Sequence, residues 1–409
     1  MNTNNKLKIF NDPIYGFITI PNTLIFDLIA HKYFQRLRRI SQMGLSYLVY
    51  PGAHHTRFHH ALGCLHLMQK AVRILRFKGV QISYEEENSL YIAILLHDIG
   101  HGPFSHAMEH SIVENISHET ISLKFMEALN IEFDGALDVA ISMFKGDYNR
   151  KFFGQLISGQ LDIDRSDYLK RDSFYTGVSE GNINSERLIS MMSVVNDELV
   201  IEEKGIYSIE KFLTARRLMY WQVYLHKTSL VAEQMITRIL KRAKELTHKG
   251  VKLEASSALS FFLNNSTNSN NFEISTLNQF SLLDDYDIMS ALKSWQFHDD
   301  FVLSHLSEMI LNRNLLKIKL RNKAFSSSKL EAVKKDVMLE YKLDTHEASY
   351  FVFHGHVDNL AYNPKQGGLK ILYKNGNTKD IIKASDHLSS KVLSKTVSKH
   401  YICFPKDIL

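Results

Sequence analysis

Cysteine is almost absent. Cys64 and Cys403 are the only two in 409 residues, too few for a disulfide framework and at no spacing that fits a zinc knuckle. Their scarcity excludes a disulfide-stapled secreted fold and suits a reducing compartment. Long apolar runs are missing as well: Leu90 to Leu96 is among the longest, far short of the ~20 residues that cross a bilayer. The opening Met1-Asn2-Thr3-Asn4-Asn5-Lys6 has no apolar segment of signal-peptide type. The expectation is therefore a soluble, cytoplasmic protein with no membrane partner. No Gly-x-x-x-x-Gly-Lys-Ser/Thr loop occurs, so a P-loop ATPase is not supported. His118-Glu119-Thr120-Ile121-Ser122 lacks the second histidine of a zinc-protease helix. Extreme charge is lacking too. A formal net charge of +5 is a weak sign of nucleic-acid binding and a fair one of an anionic small substrate.

What remains is a chain that is 44% hydrophobic and long enough to bury a large core. Lys8 to Ile20 reads as a short extended segment with turn signals at Asp12-Pro13 and Gly16. Helical periodicity dominates from Leu24 to about Thr247, including Leu188-Ile189 and Met191-Met192. The run Asn264 to Asn271 reads as a mobile polar loop. Helical patterning returns from Asp285 to Asn312. Beyond Val337, Tyr350-Phe351-Val352-Phe353 and Leu369 to Tyr373 read as strands, with a hairpin turn at Asn375-Gly376. A last helix near Leu388 to Val397 and a final strand at Tyr401 to Phe404 complete the pattern. No internal repeat is visible. The fold class expected is mainly α: a helical core with a small N-terminal β element over residues 1–325, and a small α+β appendage over 326–409.

Histidine is crowded. Ten of the twenty lie between His54 and His118, where an even spread would place about three. The centre of the crowd is Leu95-Leu96-His97-Asp98-Ile99-Gly100-His101-Gly102-Pro103-Phe104-Ser105-His106. An imidazole and an adjacent carboxylate suit a borderline or moderately hard cation. His60, in Arg57-Phe58-His59-His60, and Asp164, in Asp162-Ile163-Asp164-Arg165-Ser166-Asp167, supply a third and fourth ligand. Such a set leaves positions for water and a phosphate oxygen. His101 follows His97 by four residues, but Gly100, Gly102 and Pro103 argue that the helix bends there, so that Pro103 starts a turn whose free N–H groups favour phosphate. Each position alone has an ordinary reading. His66 and His110 fit surface or partly buried histidines, Asp162 and Asp167 fit helix caps, and Arg36, Arg38 and Arg39 fit a charged helix face. Their ordered recurrence does not.

His60, His97-Asp98 and Asp164 match in order the H…HD…D signature of the HD-domain metallophosphohydrolases. Arg36-Leu37-Arg38-Arg39-Ile40, Gln42-Met43-Gly44, Tyr50-Pro51-Gly52-Ala53, the His97 to His106 segment, Asp162 to Asp172 and Tyr220 to Lys227 make the match narrower. Over most of residues 8–320 the chain resembles the deoxynucleoside triphosphate (dNTP) triphosphohydrolases, in particular the SAM-and-HD-domain subgroup and its bacterial relatives without the SAM domain.

The resemblance implies hydrolysis of a dNTP to deoxynucleoside and intact triphosphate at a divalent metal (Fe, Mn, Zn, Ni or Mg), with a second Mg accompanying the triphosphate. It gives His60, His97, Asp98 and Asp164 as metal ligands. Arg57, Arg165 and His106 face the phosphates, and His106 also fits the general acid, within a proton network of His101, Glu109 and His118. Gln42, Tyr168 and Asp172 hold the deoxyribose, and Arg216, Tyr220 and Tyr224 complete the wall. A packed wall beneath the sugar would exclude a 2′-hydroxyl. The chain departs from the pattern at Arg165, where lysine is common, at Glu109, where aspartate is usual, and at Tyr220, which replaces a histidine. Ala30 replaces the aspartate of relatives activated by a guanine nucleotide, while Asn11, Gln35 and Arg38 are retained, so a regulatory nucleotide site is implied without guanine selectivity. The resemblance also implies a homo-oligomer, dimer or tetramer. Two other functions compete: an HD phosphatase or phosphodiesterase acting on another nucleotide, and a nucleotide- or nucleic-acid-binding regulator with a vestigial site.

Overall fold

The computed structural model describes residues 8–104, 111, 113–360, 362–363, 367–386 and 395–408. The architecture is mainly α, with eighteen α-helices and four small sheets among the described residues. Three helices carry the centre. The helix Arg57–Phe77 starts at Thr56, whose side chain and that of His59 cap each other's backbone N–H groups. Tyr84–Leu96 starts at Ser83 in a capping box with Glu86, and three glutamates in its first turn suit the helix dipole. From Ser89 to Leu96 every residue of that helix is buried, so it is a central rod rather than an amphipathic surface helix. Ile163–Thr176 is capped by Asp162 and stopped by Gly177 at φ 73°. No helix among the described residues is long and apolar enough to cross a membrane.

The extended segment at the start is a hairpin, Ile9–Asp12 against Gly16–Thr19, and Asp12 caps its turn by accepting from Ile14 and Tyr15 N–H. Several expectations are corrected. Met191-Met192 does not continue a helix: Ser185–Ser190 ends, and Met192–Val195 pairs with Glu198–Glu202. Asn196 and Asp197 both hold positive φ, 51° and 60°, the conformation a tight hairpin needs. The polar run at 264–271 is not a free loop, because Thr267–Asn268 forms a short parallel ladder with Val113–Glu114 and Thr267 is buried. Tyr350-Phe351 ends a helix, Thr345–Phe351, fixed by the Asp344–Glu347 capping box, and the strand begins at Phe353. The last strand begins at Val397, so the expected helix near 388–397 does not extend to that residue; its centre, 387–394, lies outside the described residues. The turn at Asn375-Gly376 joins Lys370–Leu372 to Thr378–Asp380 as expected, with Gly376 at φ 82°.

Two sheets tie the C-terminal region to the helices. Glu198–Glu202 pairs in parallel with Lys370–Leu372, and Val397–Phe404 lies between Lys317–Arg321 and Phe353–Asn359. The pairings of Glu198–Glu202 with Lys370–Leu372 and of Lys317–Arg321 with Val397–Phe404 join chain on either side of residue 325.

Candidate metal centre and substrate cavity

The helix Arg57–Phe77 delivers His60, the end of Tyr84–Leu96 delivers His97 and Asp98, and the first turn of Ile163–Thr176 delivers Asp164. The four meet. His60 Nε2 lies 3.1 Å from Asp164 Oδ1 and 3.7 Å from Asp98 Oδ2. His97 Nε2 lies 3.5 Å from Asp164 Oδ1 and 3.5 Å from Asp98 Oδ1. Ligands about 2.1 Å from a common ion stand roughly 3.0–3.5 Å apart at octahedral or tetrahedral angles, so these gaps fit a divalent cation. Both imidazoles are turned for the task. His60 Nδ1 bonds Asp167 Oδ2 at 2.7 Å and His97 Nδ1 bonds the Ile94 carbonyl at 2.7 Å, which directs each Nε2 lone pair to the centre. Among the described residues the buried His97 Nε2 has no hydrogen-bond partner, as a nitrogen that would bind a metal requires.

Cys64, one turn after His60, also falls within this group. Its sulfur is 3.7 Å from His60 Nδ1 and 3.6 Å from Nε2. Near-equal distances place it against the ring rather than along the Nε2 lone pair, and burial pushes the thiol up. Asp98 is the better fourth ligand. Although burial opposes it, His97, His101 and Arg57 hold the Asp98 carboxyl well below the usual range.

Asp98, His101 and His118 form a second group. The two rings stack 3.8 Å apart at 19°, so their in-plane lone pairs run alongside each other instead of converging on one ion. This group suits proton handling. Burial and the Arg57 charge hold His101 well below the ordinary imidazole range, leaving it neutral, with Nε2 3.3 Å from Asp98 Oδ1.

The surroundings are held by residues whose ordinary sequence reading proves incomplete. Asp167 is no simple helix cap: it is fully buried, receives Arg171 Nε at 2.8 Å and Nη2 at 3.0 Å, and Arg171 Nη1 reaches Asp12 at 2.8 Å. Burial raises the Asp167 carboxyl, but Arg171 and His60 overcome this and hold it at about 2. Gly63 is required here, because a Cβ would collide with the Asp167 carboxylate and the Arg171 guanidinium. Arg36 is likewise not part of a charged face. It is fully buried, donates to the carbonyls of Leu283, Ile99 and His101, and packs over Phe125 and Phe280. It braces the turn after His97-Asp98 from outside. Ser122 holds the same turn by donating to the His97 carbonyl and accepting from Gly100 N–H. Asp162 does cap its helix, accepting from Arg165 N–H.

Asp285 joins the two segments that carry the site, accepting from Ser41 N–H at 2.8 Å and Phe104 N–H at 2.9 Å. Burial raises its pKa to about 6. A raised carboxyl favours protonation in the folded state. Its contribution to stability is therefore present below the unfolded value near 4 and is lost as pH rises through about 6, on the order of 3 kcal/mol across the window. Denaturant titrations of the wild type and Asp285→Asn at pH 4 to 7 are expected to show the wild type losing stability relative to the variant across pH 4–6, with parallel curves above. A constant difference would contradict the assignment.

Beside the centre lies a cavity of about 340 Å³. Gln42, Arg57, Tyr168, Asp172, Tyr220 and Tyr224 all line it. Arg57 belongs to both sites, because its guanidinium pairs with Asp98. Asp172 is fixed from two sides, by His55 Nε2 at 2.7 Å and by the Tyr224 hydroxyl at 2.8 Å. Tyr168 and Tyr220 meet Tyr224 edge-on, at 5.8 and 5.2 Å. Residues Tyr220–Tyr224 form a π-helical turn; the wider turn sets Tyr220 and Tyr224, four apart, on one wall.

Two further expected residues stand beside the cavity's tyrosines rather than in its lining. Arg165 folds back onto Asp162 and the Gly159 carbonyl, and Arg216 lies by the Tyr220 ring at 6.0 Å, its Nε and Nη1 buried without partners among the described residues. His106 and Glu109 lie outside the described residues. Of the implied regulatory residues, Gln35 donates to the Ile29 carbonyl, Arg38 donates to Gln35, and Asn11 sits in the hairpin opposite Phe17. Asp167, Arg36, His55 and Asp285 are the positioning residues that the sequence reading missed. Asp167 and Arg171 carried one signal, their i+3 and i+7 spacing from Asp164.

The comparisons agree with this geometry. A family model described as the HD domain matches residues 57–172, and one described as the HD associated region matches 183–270. A phosphohydrolase from Bacteroides thetaiotaomicron VPI-5482, solved by crystallography, is 50% identical with a TM-score of 0.95, covering 98% of this chain and 100% of that one. The uncharacterized protein YwfO of Bacillus subtilis is 32% identical over 98% of this chain and 93% of its own length. The Dictyostelium discoideum homolog of the deoxynucleoside triphosphate triphosphohydrolase SAMHD1 is 32% identical over 60% of this chain, which spans about half of that relative (51%). The chain belongs to the HD-domain family of metal-dependent phosphohydrolases.

Proposed function

We propose that the protein hydrolyses deoxynucleoside triphosphates to deoxynucleoside and inorganic triphosphate. The observation that carries this reading is the continuity of metal centre and cavity: Arg57 pairs with Asp98 on one side and lines the tyrosine-walled cavity on the other. A triphosphate at Arg57 sets its sugar against Tyr168, Tyr224 and Asp172. The name borne by the Dictyostelium relative supports the same substrate class.

A divalent cation held by His60, His97, Asp98 and Asp164 supplies Lewis-acid polarisation of the phosphate ester. The protein's own groups do the rest. Arg57 offers charge to the phosphate oxygens in a site shielded from water. Neutral His101, against Asp98 and stacked on His118, keeps an uncharged imidazole beside the reacting ester, suited to relaying a proton rather than holding one. Tyr224, fixed by its bond to Asp172, closes the sugar wall and would crowd a 2′-hydroxyl. Tyr224→Ala is expected to narrow the dNTP-to-NTP preference in kcat/KM by about 10-fold or more; an unchanged ratio in competition assays would remove Tyr224 from that role.

The direct test incubates purified protein with Mn²⁺, Fe²⁺ or Mg²⁺ and each dNTP and NTP, and resolves the products by chromatography. Deoxynucleoside with inorganic triphosphate is the expected pair. Orthophosphate or pyrophosphate, or turnover of other nucleotides alone, would reassign the protein to another HD phosphatase or phosphodiesterase activity.

A further inference from the structure

One short stretch of chain, residues 50–57, bonds to three separate parts of the site. At its start, the Tyr50 hydroxyl donates to the Gln222 carbonyl at 2.5 Å. That carbonyl stands in the π-helical turn Tyr220–Tyr224, where a helical run ends and the last carbonyls lack donors within the helix. The Tyr50 ring also meets His226 edge-on at 6.0 Å, and His226 caps the next helix by accepting from Thr228 N–H. In the middle of the stretch, His55 Nε2 bonds Asp172 Oδ1 at 2.7 Å, and both residues are buried. A carboxylate accepts, so Nε2 carries the proton. At its end, Arg57 pairs with Asp98 of the metal centre. Neither Tyr50 nor His55 lines the cavity; Asp172, Tyr220 and Tyr224, which they hold directly or through the turn, do.

The stretch itself is pinned. Gln42 N–H donates to the His55 carbonyl at 3.0 Å, Arg57 N–H donates to the Ile40 carbonyl at 3.0 Å, and Ser41 pairs with Thr56 as an isolated bridge. Ala53 N–H donates to the Tyr50 carbonyl at 2.9 Å and closes a turn. The His55 ring lies against Tyr175, 4.3 Å apart at 15°, and a Cβ on Gly52 would stand 2.6 Å from the Tyr175 carbonyl oxygen. Held at these points, the stretch fixes the spacing of Tyr50, His55 and Arg57.

We propose that residues 50–57 set the sugar wall against the metal centre, with Tyr50 and His55 as positioning residues for sugar selectivity. The inference rests on the proposed function, in which Arg57 takes the phosphates and Tyr168, Tyr224 and Asp172 take the sugar. Tyr50 holds the turn that carries Tyr224, and His55 holds the carboxylate that the Tyr224 hydroxyl bonds. Tyr224 is thus located through its backbone and through its hydroxyl by the same stretch. Loosening either hold moves the wall outward, which takes contact from a deoxyribose and gives room to a ribose. Arg57 keeps its own bonds, so the loss falls on KM and on the dNTP-to-NTP preference more than on kcat.

The test measures kcat and KM for each dNTP and its matching NTP with the wild type, Tyr50→Phe, His55→Ala and His55→Gln, beside their melting curves. Tyr50→Phe removes one hydrogen bond and is expected to raise the dNTP KM by about 3- to 10-fold with kcat within about twofold, narrowing the dNTP-to-NTP preference. His55→Ala removes a bond to a charged group and is expected to lower kcat/KM on dNTPs by about 10- to 100-fold. His55→Gln, whose amide donates to Asp172, is expected to recover most of that loss. Tyr50→Phe added to Tyr224→Ala is expected to narrow the preference no further than Tyr224→Ala alone, because Tyr50 acts through Tyr224. A lowered melting temperature with KM and the preference unchanged in both Tyr50→Phe and His55→Ala would mean ordinary packing; it would overturn the positioning role and leave the hydrolase intact. Absence of triphosphate release from every dNTP by the wild type would overturn the function itself, and the positioning role with it.

Discussion

Asp164→Ala is expected to empty the metal centre and to lower kcat/KM about 10³-fold or more. Asp164 Oδ1 is the oxygen that both His60 Nε2 and His97 Nε2 approach. Losing it removes one ligand and one negative charge from a four-ligand set, and with the metal goes several kcal/mol of transition-state charge stabilisation, roughly 10³-fold in rate. The side chain is 28% exposed, so its removal leaves no sealed void and the fold is expected to survive. Elemental analysis of the purified variant, with its melting curve, separates these effects. Full metal content and full rate would show that Asp164 is not a ligand. Cys64→Ala is the matching control: the thiol lies against the His60 ring, and its loss is expected to leave metal content unchanged.

Arg171→Ala is expected to be the most damaging single change to stability, at about 3–5 kcal/mol, because it leaves two carboxylates buried without their partner. Asp12 and Asp167 both depend on Arg171, and none of the three is more than 4% exposed at the side chain. The damage extends to the site, since Asp167 holds His60 Nδ1. Outer partners of metal-binding histidines typically carry 10- to 100-fold of metal affinity or activity, about the loss expected here in the fraction that folds. Gly63→Ala reaches the same cluster from the other side, pushing the Asp167 carboxylate and the Arg171 guanidinium. Urea denaturation and metal titration of both variants are the measurements. Near-wild-type stability in Arg171→Ala would mean that the buried pair is not needed.

The parts of the site that could be read in the sequence are those encoded by short local patterns. His97-Asp98 at a helix end, His60 three residues into a helix and Asp164 in a first turn announce themselves by residue type and order. Their supports do not. Arg36 stands in Arg36-Leu37-Arg38-Arg39, and nothing local distinguishes the guanidinium that is fully buried on the carbonyls of Ile99, His101 and Leu283 from those left near the surface. Asp285 reaches Ser41 and Phe104 across more than 180 residues of sequence, a contact that only tertiary packing reveals. Some local signals were present and outweighed. The Asp344–Glu347 capping box marks a helix start, but Tyr350-Phe351-Val352-Phe353 reads as a strand because aromatic and β-branched residues favour one. Asn196-Asp197 marks a hairpin inside a region where helical spacing of methionine and leucine pointed the other way.

The central claim is that water attacks the α-phosphorus and releases intact triphosphate. The most direct measurement runs a single dNTP to completion in ¹⁸O-enriched water with Mn²⁺ and weighs the products by mass spectrometry. The account predicts unlabelled deoxynucleoside and inorganic triphosphate carrying one ¹⁸O. Label in orthophosphate beside a deoxynucleoside diphosphate, or a deoxynucleoside monophosphate with pyrophosphate, would contradict it.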